Sequence, residues 1–437
     1  MSWFNFFDTK TEQKHSFGRG INANLSEHEE ELFNKSYEAF EQKEILDAYE
    51  YLFQSLENFT NGISNQNVTI KREEDKLSFE ILQGCAKITG TITKEHLYAE
   101  SILTKKSSAN VGLKRYILER NYQLTYTNYF SDEAYLKLKL YHDNITMSPQ
   151  KVFFPLRELA LNADFDKEYT RCEFPDIILE DIAHISPIEA KELQIKYDFM
   201  QKSIEEITNK ISTFPSNDNA GMQAFAFLYL YFKIDYLLTP KYEMYHKMNR
   251  KIQEYFSEEN VTIEAKNEEL KEYIEVLKNM PFEEFKNNFY DAKYTFNPSE
   301  KTSNEELSMF IGESLSKIRW YKNNRYNQII PILYGYIAFH ILYNYGLHPV
   351  TKALIHILVE IQNQSFFTSL GYAALYNEDT NSFSKRVIIS KINEIIEPYQ
   401  EQFKLLEPFG NKLNYTTPNE FSNSFYLQLQ DLNFEEI

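Results

Sequence analysis

The chain has 437 residues, which exceeds one ordinary hydrophobic core, so two or three domains are expected. A hydrophobic content of 43%, with 32 Tyr and 34 Phe, excludes an intrinsically disordered protein, and only 12 Gly and 13 Pro favour long helices over a loop-rich β-sandwich. The net charge of −18 repels phosphate groups, which disfavours binding of nucleic acid or anionic membranes.

The cysteine content predicts a cytoplasmic location. Cys85 and Cys172 are too few for the disulfide framework of a small secreted protein or for a four-thiolate metal site. Met1–Asp8 lacks the positive segment, the long apolar core and the cleavage site of a signal peptide. Cys85 lies among predicted strand residues, where a buried and inert thiol is the default.

Residues 1–24 are predicted to form an N-terminal arm, and residues 25–170 a first domain. Ser26 and Glu29 have the spacing of a capping box at the start of a helix. Helices predicted at Glu29–Gln42 and Glu44–Phe59 form a hairpin, which needs a partner because it cannot bury its own apolar face. The partner is predicted to be an antiparallel meander of four short strands between Val68 and Leu103.

The segment from Val111 to Asp166 is predicted to contain a helix, two strands and a second helix. The first helix spans Val111–Arg120, and a strand follows at Gln123–Asn128. In the second strand, Leu136, Leu138 and Leu140 alternate with Lys137, Lys139 and Tyr141. The last helix opens at Ser148-Pro149 and places five apolar residues on one face: Val152, Leu156, Leu159, Ala160 and Ala163.

This order of elements resembles the type III secretion chaperone-like fold, which is shared with the YbjN family of bacterial proteins. Four segments carry the resemblance: Tyr116–Asn121, Tyr129–Asp132, Leu136–Leu138, and Leu156–Ala160 with Ala163-Asp164. The resemblance implies a non-enzymatic adaptor or chaperone that binds an extended segment of another protein, and it implies a homodimer. The predicted partner-binding residues are the aromatic residues of this region: Tyr126, Tyr129, Phe130, Tyr135 and Tyr141.

The remainder is predicted to be a connecting segment at residues 171–219 and a helical domain at residues 220–437, so the fold class is α+β. The connecting segment contains a helix at Ile188–Ile211 and a linker at Phe214–Asn219. Further helices are predicted at Ala220–Leu238, Lys241–Phe256, Asn267–Asn279, Phe282–Asn288, Asn304–Asn323, Gln328–Tyr345, Pro349–Gln362 and Ser382–Leu405. Phe425, Leu427 and Leu429 predict a late strand.

The stretch Ile329–Leu347 carries no formal charge and is long enough to span a membrane. Pro331, His340 and Asn344 interrupt it, which favours a buried helix over a membrane span.

The sequence contains no G-x-G-x-x-G, G-x-x-x-x-G-K-[ST], H-E-x-x-H or G-x-S-x-G motif, and no cofactor is predicted. The metal candidates are His356 and Glu360, spaced four apart, with His340 and His348 nearby; the simpler interpretation packs His356 in a helical core and leaves Glu360 in water. Asp164, Asp166 and Glu168 are interpreted as an acidic loop that is either solvated or able to hold a cation.

The predicted function is therefore that of a non-enzymatic protein-binding adaptor or chaperone-like protein. Its pathway stays open, with a bacterial secretion or inter-bacterial conflict system as one context. The alternative is an enzyme with its site in the helical domain, assembled from residues that are far apart in sequence. A pocket with converging His and carboxylate groups would favour the enzyme, and an exposed apolar groove on the sheet would favour the adaptor.

Overall fold

The computed structural model describes residues 15–19, 27–60, 63–215 and 219–435. The predicted cap Ser26, the segment Met1–Asp8 and positions 216–218 of the predicted linker lie outside the described residues.

The predicted helical hairpin is present and forms one layer of the first half. It consists of α1 (Glu27–Glu41) and α2 (Ile45–Ser55), with Lys43 in the left-handed region at φ 63° between them. Helix α2 buries Leu46, Tyr49, Leu52 and Phe53, because residues three and four apart share one face of a helix. A two-residue pair of strands follows, β1 (Phe59–Thr60) and β2 (Ile63–Ser64).

A six-stranded antiparallel sheet forms the second layer. Its strands are β3 (Val68–Arg72), β4 (Leu77–Gln83), β5 (Ala86–Ile92), β6 (His96–Lys105), β7 (Asn128–Ser131) and β8 (Tyr135–Asp143), in the spatial order β3-β4-β5-β6-β8-β7. Pairing of β6 with β8 joins the predicted meander and the predicted strand pair into one sheet. Leu77, Phe79 and Ile81 are buried beneath the helices, as the period of two predicts.

Helix α3 (Val111–Gln123) is longer than predicted, and the strand predicted at Gln123–Asn128 is wrong because β7 begins only at Asn128. The reason is a side chain on the next helix. The Glu158 carboxylate accepts the backbone N–H groups of residues 125, 126 and 127 at 2.8 to 3.0 Å. These N–H groups are therefore satisfied without a neighbouring strand, and the segment stays a loop.

Helix α4 (Pro149–Glu173) begins after the Ser148 cap, as predicted, and covers the inner face of the sheet. The five predicted apolar residues, Val152, Leu156, Leu159, Ala160 and Ala163, are all buried. The helix continues past the predicted acidic loop, so that prediction is wrong. Asp166 and Glu168 are buried inside the helix, where each carboxylate has protein partners.

The second half is mainly helical, which confirms the predicted α+β class. Its helices are α5 (Ala190–Ile211), α6 (Ala220–Leu238), α7 (Tyr242–Ser257), α8 (Ile263–Asn279), α9 (Phe282–Phe285), α10 (Asn304–Asn323), α11 (Ile330–Asn344), α12 (Pro349–Gln362), α13 (Gln364–Ser369), α14 (Lys385–Ile396) and α15 (Pro418–Gln430). Helices α6 and α11 pack against each other at the centre of this core. The uncharged stretch Ile329–Leu347 thus lies mostly in a buried helix, and none of the helices that the structure describes is long and apolar enough to cross a membrane.

Two predictions near the C-terminus are wrong. The predicted helix Ser382–Leu405 begins instead with a strand, since β9 (Tyr376–Asn377) pairs with β10 (Ser382–Phe383) ahead of α14. The predicted late strand lies in α15, where Phe421, Phe425 and Leu429 share the buried side at a spacing of four while Leu427 is 45% exposed.

One segment of the second half completes the core of the first. In the connecting strap (residues 289–300), Phe296 is only 1% exposed and packs with the apolar residues of the sheet layer, including Phe153 at 5.5 Å between ring centroids. The Gln83 Oε1 at the end of β4 accepts the N–H groups of Thr295 at 3.0 Å and Phe296 at 2.8 Å. A fragment of residues 25–170 would therefore lack one side chain of its own core.

Candidate functional site

The sheet has an outer face opposite α2 and α4. On β6, β7 and β8, the part of the sheet called the outer face from here on, strand alternation places eight side chains: Tyr98, Glu100, Ile102, Phe130, Tyr135, Lys137, Lys139 and Tyr141. Their inward neighbours Leu97, Ala99, Leu138 and Leu140 are buried, whereas these eight are half-buried or exposed. The outer face thus combines aromatic and aliphatic side chains with three charged ones.

The charged groups of the outer face differ in whether they are paired. The Lys137 Nζ lies 2.8 Å from Glu100 Oε1 and 2.9 Å from Asp132 Oδ2, so this ammonium is neutralised. Lys139 forms no ion pair with any described residue, and its Nζ lies 4.6 Å from the centroid of the Phe130 ring. Lys139 therefore offers a cation beside the Phe130 ring.

Three of the five predicted partner-binding aromatics share the outer face. Phe130 and Tyr135 are half-buried there, and Tyr141 is 55% exposed. Tyr126 is 48% exposed but belongs to the loop held by Glu158. Tyr129 is buried on the inner side of β7, where its hydroxyl donates to Asp166 Oδ2 at 2.8 Å, so it is not accessible from the outer face.

The β7 edge of the sheet is closed by a side chain of α3. The Tyr129 N–H donates to Asn121 Oδ1 at 2.6 Å, and Asn121 Nδ2 donates back to the Tyr129 carbonyl at 3.3 Å. Asn121 thereby occupies the hydrogen-bonding groups that an added strand would use at this position. Binding by strand addition at Tyr129 is blocked, which leaves the outer face as the accessible surface of this part of the sheet.

Asp166 fixes the position of β7 and α3 relative to α4. Its Oδ1 accepts from the Tyr116 hydroxyl at 2.5 Å and from Arg120 Nε at 2.9 Å, in addition to the Tyr129 hydroxyl on Oδ2. Burial raises the pKa of Asp166, and the Arg120 charge and these hydrogen bonds oppose that shift. The outer face is therefore carried on a strand pair that is anchored from beneath.

A second polar cluster, the ionic junction, lies between the two halves and comprises Arg19, Asp164, Glu168, Asp235 and Lys241. Glu168 Oε1 accepts from the Tyr290 hydroxyl at 2.5 Å, and Asp164 Oδ1 accepts from the Cys85 N–H at 2.8 Å. Burial and the neighbouring Glu168 raise the pKa of Asp164 to about 7.

The turn before Cys85 needs a glycine to make this approach. Gly84 has φ +55°, and a Cβ at this position would lie 2.1 Å from Asp164 Oδ1. Only glycine admits the carboxylate so close to the backbone.

The cations of the ionic junction come from the arm and from the start of α7. Arg19 donates from Nε to Asp235 Oδ1 at 3.1 Å, and its guanidinium lies 3.5 Å from the centroid of the Tyr245 ring. Lys241 contacts the Tyr294 hydroxyl; burial and Arg19 lower the pKa of Lys241 to about 8, while Glu168 and Asp164 oppose the shift. Arg19 thus pairs with Asp235, while Glu168 and Lys241 bond to tyrosine hydroxyls of residues 290 and 294, so these buried contacts join the arm and the two halves.

A cavity of about 360 Å³ lies beside Arg19. Asp235, Asn249, Asn297 and Lys352 contribute polar groups to its wall. Among the described lining residues there is no histidine, and the carboxylate of Asp235 is already paired with Arg19. The cavity therefore does not have the converging His and carboxylate groups that would favour the enzyme alternative.

The predicted metal candidates are engaged in other contacts. The His356 ring Nδ1 lies 2.9 Å from the Tyr236 hydroxyl, and burial lowers the pKa of His356 to about 3. Glu360 is 5% exposed and accepts from Lys391 Nζ at 2.7 Å, so the expectation that Glu360 faces water is wrong. Within the described ranges, no group of three or more His, Cys, Asp or Glu side chains is placed to hold a metal ion.

The other two histidines near these candidates, and the cysteines, also have structural surroundings. His340 stacks on Phe310 with 4.6 Å between ring centroids, and the His348 side chain caps α12. Cys85 is buried, as predicted, and burial raises its pKa, while Cys172 is a partly buried free thiol.

No protein-family model matches this chain, and a search of curated proteins finds no match.

Sequence reasoning missed Tyr98, Ile102 and Lys139 as parts of the outer face. The sequence contains a signal for the β6 residues, because Tyr98, Glu100 and Ile102 alternate with the buried positions of this strand. The pairing of β6 with β8, which brings Tyr98 opposite Tyr141 and Glu100 opposite Lys139, was the missing information.

Proposed function

We propose that this protein is a non-enzymatic adaptor that binds an extended segment of another protein on the outer face of its sheet. The observation that carries the proposal is the unpaired Lys139 among Phe130, Tyr141 and Tyr98 on a sheet face whose side chains are half-buried or exposed. Clusters of exposed aromatic side chains beside a cation are typical of surfaces that bind polypeptides.

The chemistry of the outer face specifies the partner segment. A carboxylate of the partner would pair with Lys139, since Lys137 is already held by Glu100 and Asp132. In an extended segment, side chains two residues away point to the same side. Apolar side chains on both sides of the acidic residue would therefore pack on Tyr141 and Ile102.

Two further points support the proposal. The resemblance to the type III secretion chaperone-like fold implies binding of extended polypeptide, and the closed β7 edge directs such binding to the outer face. The proposal includes a cytoplasmic location, on the cysteine content, and a role within a bacterial secretion or inter-bacterial conflict system.

Photo-crosslinking tests the proposal in cells of the species that encodes the chain. The photoreactive residue p-benzoylphenylalanine replaces Tyr141 in one variant, Tyr98 in a second, and Tyr122 in a control. Tyr122 is 93% exposed and lies on α3, away from the outer face. We expect positions 141 and 98 to capture one common segment of another protein, with an acidic residue between apolar ones, and position 122 not to capture it.

The captured segment is then synthesised, and its binding to the full chain is measured by fluorescence anisotropy. Lys139→Glu should weaken binding about tenfold or more, while the matched charge reversal Lys114→Glu on exposed α3 should not change it. A peptide with the acidic residue changed to Lys should recover binding to Lys139→Glu. Equal binding by the wild type and Lys139→Glu, or crosslinks at position 141 only to a second copy of this chain, would contradict the proposal.

A further inference from the structure

The helical half contains a second cavity, of about 320 Å³, away from the outer face of the sheet. It lies between α5, α6, α11, α12 and α15. The side chains used below are Glu206, Tyr229, Lys233, Gln362 and Ser422. The volume lies within the range of small-molecule sites in proteins.

Lys233 is the unusual residue of this cavity, because it is a buried cation on a helix that is otherwise nearly all apolar. It is 6% exposed, and within the described part of the chain it forms neither a hydrogen bond nor an ion pair. Its Nζ lies 4.8 Å from the centroid of the Phe199 ring and 5.6 Å from that of Tyr229. Burial lowers the pKa of Lys233 to about 8; Glu206 opposes that shift, and Lys202 adds to it.

A buried ammonium with only aromatic neighbours is less stable than one with an anionic partner, since both desolvation and missing hydrogen bonds disfavour it. The acidic residues of the cavity do not supply that partner. Glu206 and Glu378 line it but are exposed, and Glu206 lies 3.7 Å from Lys202 Nζ. An anion that enters the cavity would therefore meet one uncompensated buried charge.

A second polar group of the cavity also lacks a partner among the described residues, and it is a hydrogen-bond acceptor. The Gln362 Oε1 is buried and has no hydrogen-bond partner among the described residues, while Gln362 Nε2 lies 3.5 Å from Ser422 Oγ. Buried polar atoms are nearly always paired, so this oxygen is suited to accept a hydrogen bond from a bound molecule.

The aromatic wall of the cavity depends on one glycine. A Cβ at Gly335 on α11 would lie 2.4 Å from Tyr229 Cε2. The absence of a side chain at Gly335 thus lets the Tyr229 ring approach the backbone of α11 beside Lys233.

We infer that this cavity binds a small organic carboxylate with an apolar, ring-sized body, whose carboxylate pairs with Lys233 and whose polar substituent donates to Gln362. The rings of Tyr229, Tyr334 and Tyr376 line the cavity and supply contact for the apolar body. This inference stands apart from polypeptide binding on the sheet, because no residue is shared between the two surfaces.

Calorimetric titration of the full chain with benzoate, hexanoate and 4-hydroxybenzoate tests the inference, with benzamide as the uncharged control. We expect saturable binding of at least one carboxylate below about 10 mM, and binding of benzamide about tenfold weaker or undetectable. 4-Hydroxybenzoate should bind more tightly than benzoate, because its hydroxyl can donate to Gln362 Oε1. The comparison of benzoate with benzamide uses only the wild type and does not depend on the folding of a variant.

Lys233→Met assigns the site, and Lys202→Met is the matched control because Lys202 is 57% exposed on the neighbouring helix. Lys233→Met should weaken carboxylate binding about tenfold or more without lowering the melting temperature, whereas Lys202→Met should leave binding unchanged. The inference is wrong if no carboxylate binds saturably below about 10 mM, or if Lys233→Met binds carboxylate as the wild type does.

Discussion

Truncation of Phe296 tests whether the connecting strap belongs to the core of the sheet layer. Phe296 is 1% exposed and lies 5.5 Å from Phe153 on α4 between ring centroids. Loss of the buried ring removes about 2 to 3 kcal/mol of transfer free energy, and the cavity left behind adds to this. We therefore expect Phe296→Ala to lower the free energy of unfolding by about 3 to 5 kcal/mol.

Urea denaturation followed by far-UV circular dichroism measures this loss, and hydrogen exchange with mass spectrometry locates it. Exchange should accelerate first in β4 and α4, which contact Phe296 through Gln83 and Phe153. Phe154→Ala is the matched control, because Phe154 neighbours Phe153 but is 48% exposed, and its cost should be within about 0.5 kcal/mol. A loss below about 1 kcal/mol for Phe296→Ala, or faster exchange confined to the helices of the second half, would refute this reasoning.

Leu138 and Leu156 are each 1% exposed and join β8 to α4, so either change to Ala should cost about 2 to 5 kcal/mol in chemical denaturation; a negligible cost for both would contradict this packing. Burial and Glu168 raise the pKa of Asp164 in the folded state from 3.8 to about 7. The protonated side chain therefore contributes its full stabilisation of the fold below about pH 4, and this stabilisation is lost as the pH rises towards 7. The unfolding free energy of the wild type relative to Asp164→Asn should therefore fall across this window in urea denaturation, and a rise or no change would argue against the assigned shift. Chelator treatment should leave the melting temperature unchanged, because His356 contacts Tyr236 and Glu360 pairs with Lys391; stoichiometric metal by elemental analysis with a large loss of stability would contradict this.

Elements whose signals are local were predicted well from the sequence. The bounds of α6, α10 and α12 agree with prediction at both ends. Helix α10 has a complete capping box at Ser303 and Glu306, and α12 begins at a proline after a capping histidine. Such end signals involve residues within one turn, so they are readable without the fold.

Elements that depend on distant partners were predicted poorly. The predicted strand begins before β7 does, because Glu158, about thirty residues later in the chain, accepts hydrogen bonds from the N–H groups ahead of β7. The predicted late strand is wrong because Phe425, Leu427 and Leu429 alternate only locally, whereas the spacing of four from Phe421 decides the buried side of α15. The local hydrophobic period cannot distinguish a strand from a helix at Phe425–Leu429, since three apolar residues fit both the period of two and the helical period.

Only part of the outer face could be predicted from the sequence, because its other residues are brought together by pairing between distant segments. Tyr141 and Tyr135 were found because β8 alternates clearly, but Tyr98 required the β6 to β8 register, which no local pattern encodes. Tyr129 is buried rather than exposed, because an aromatic residue in an edge strand can point to either side, and Asp166 on α4 holds its hydroxyl.

The ionic junction explains why the two halves are not a simple pair of independent units. Its carboxylates Asp164 and Glu168 stand four residues apart on α4, whereas its cations Arg19 and Lys241 come from the arm and from the second half. Removal of Arg19 would leave the Asp235 carboxylate as an unpaired buried charge, which costs more than loss of an exposed ion pair. The same junction is joined by the Phe296 strap, so separation of the halves would expose both an apolar core and paired charges. These contacts hold the sheet that carries the outer face on the helical half, so a partner that binds there as proposed would meet a preformed surface.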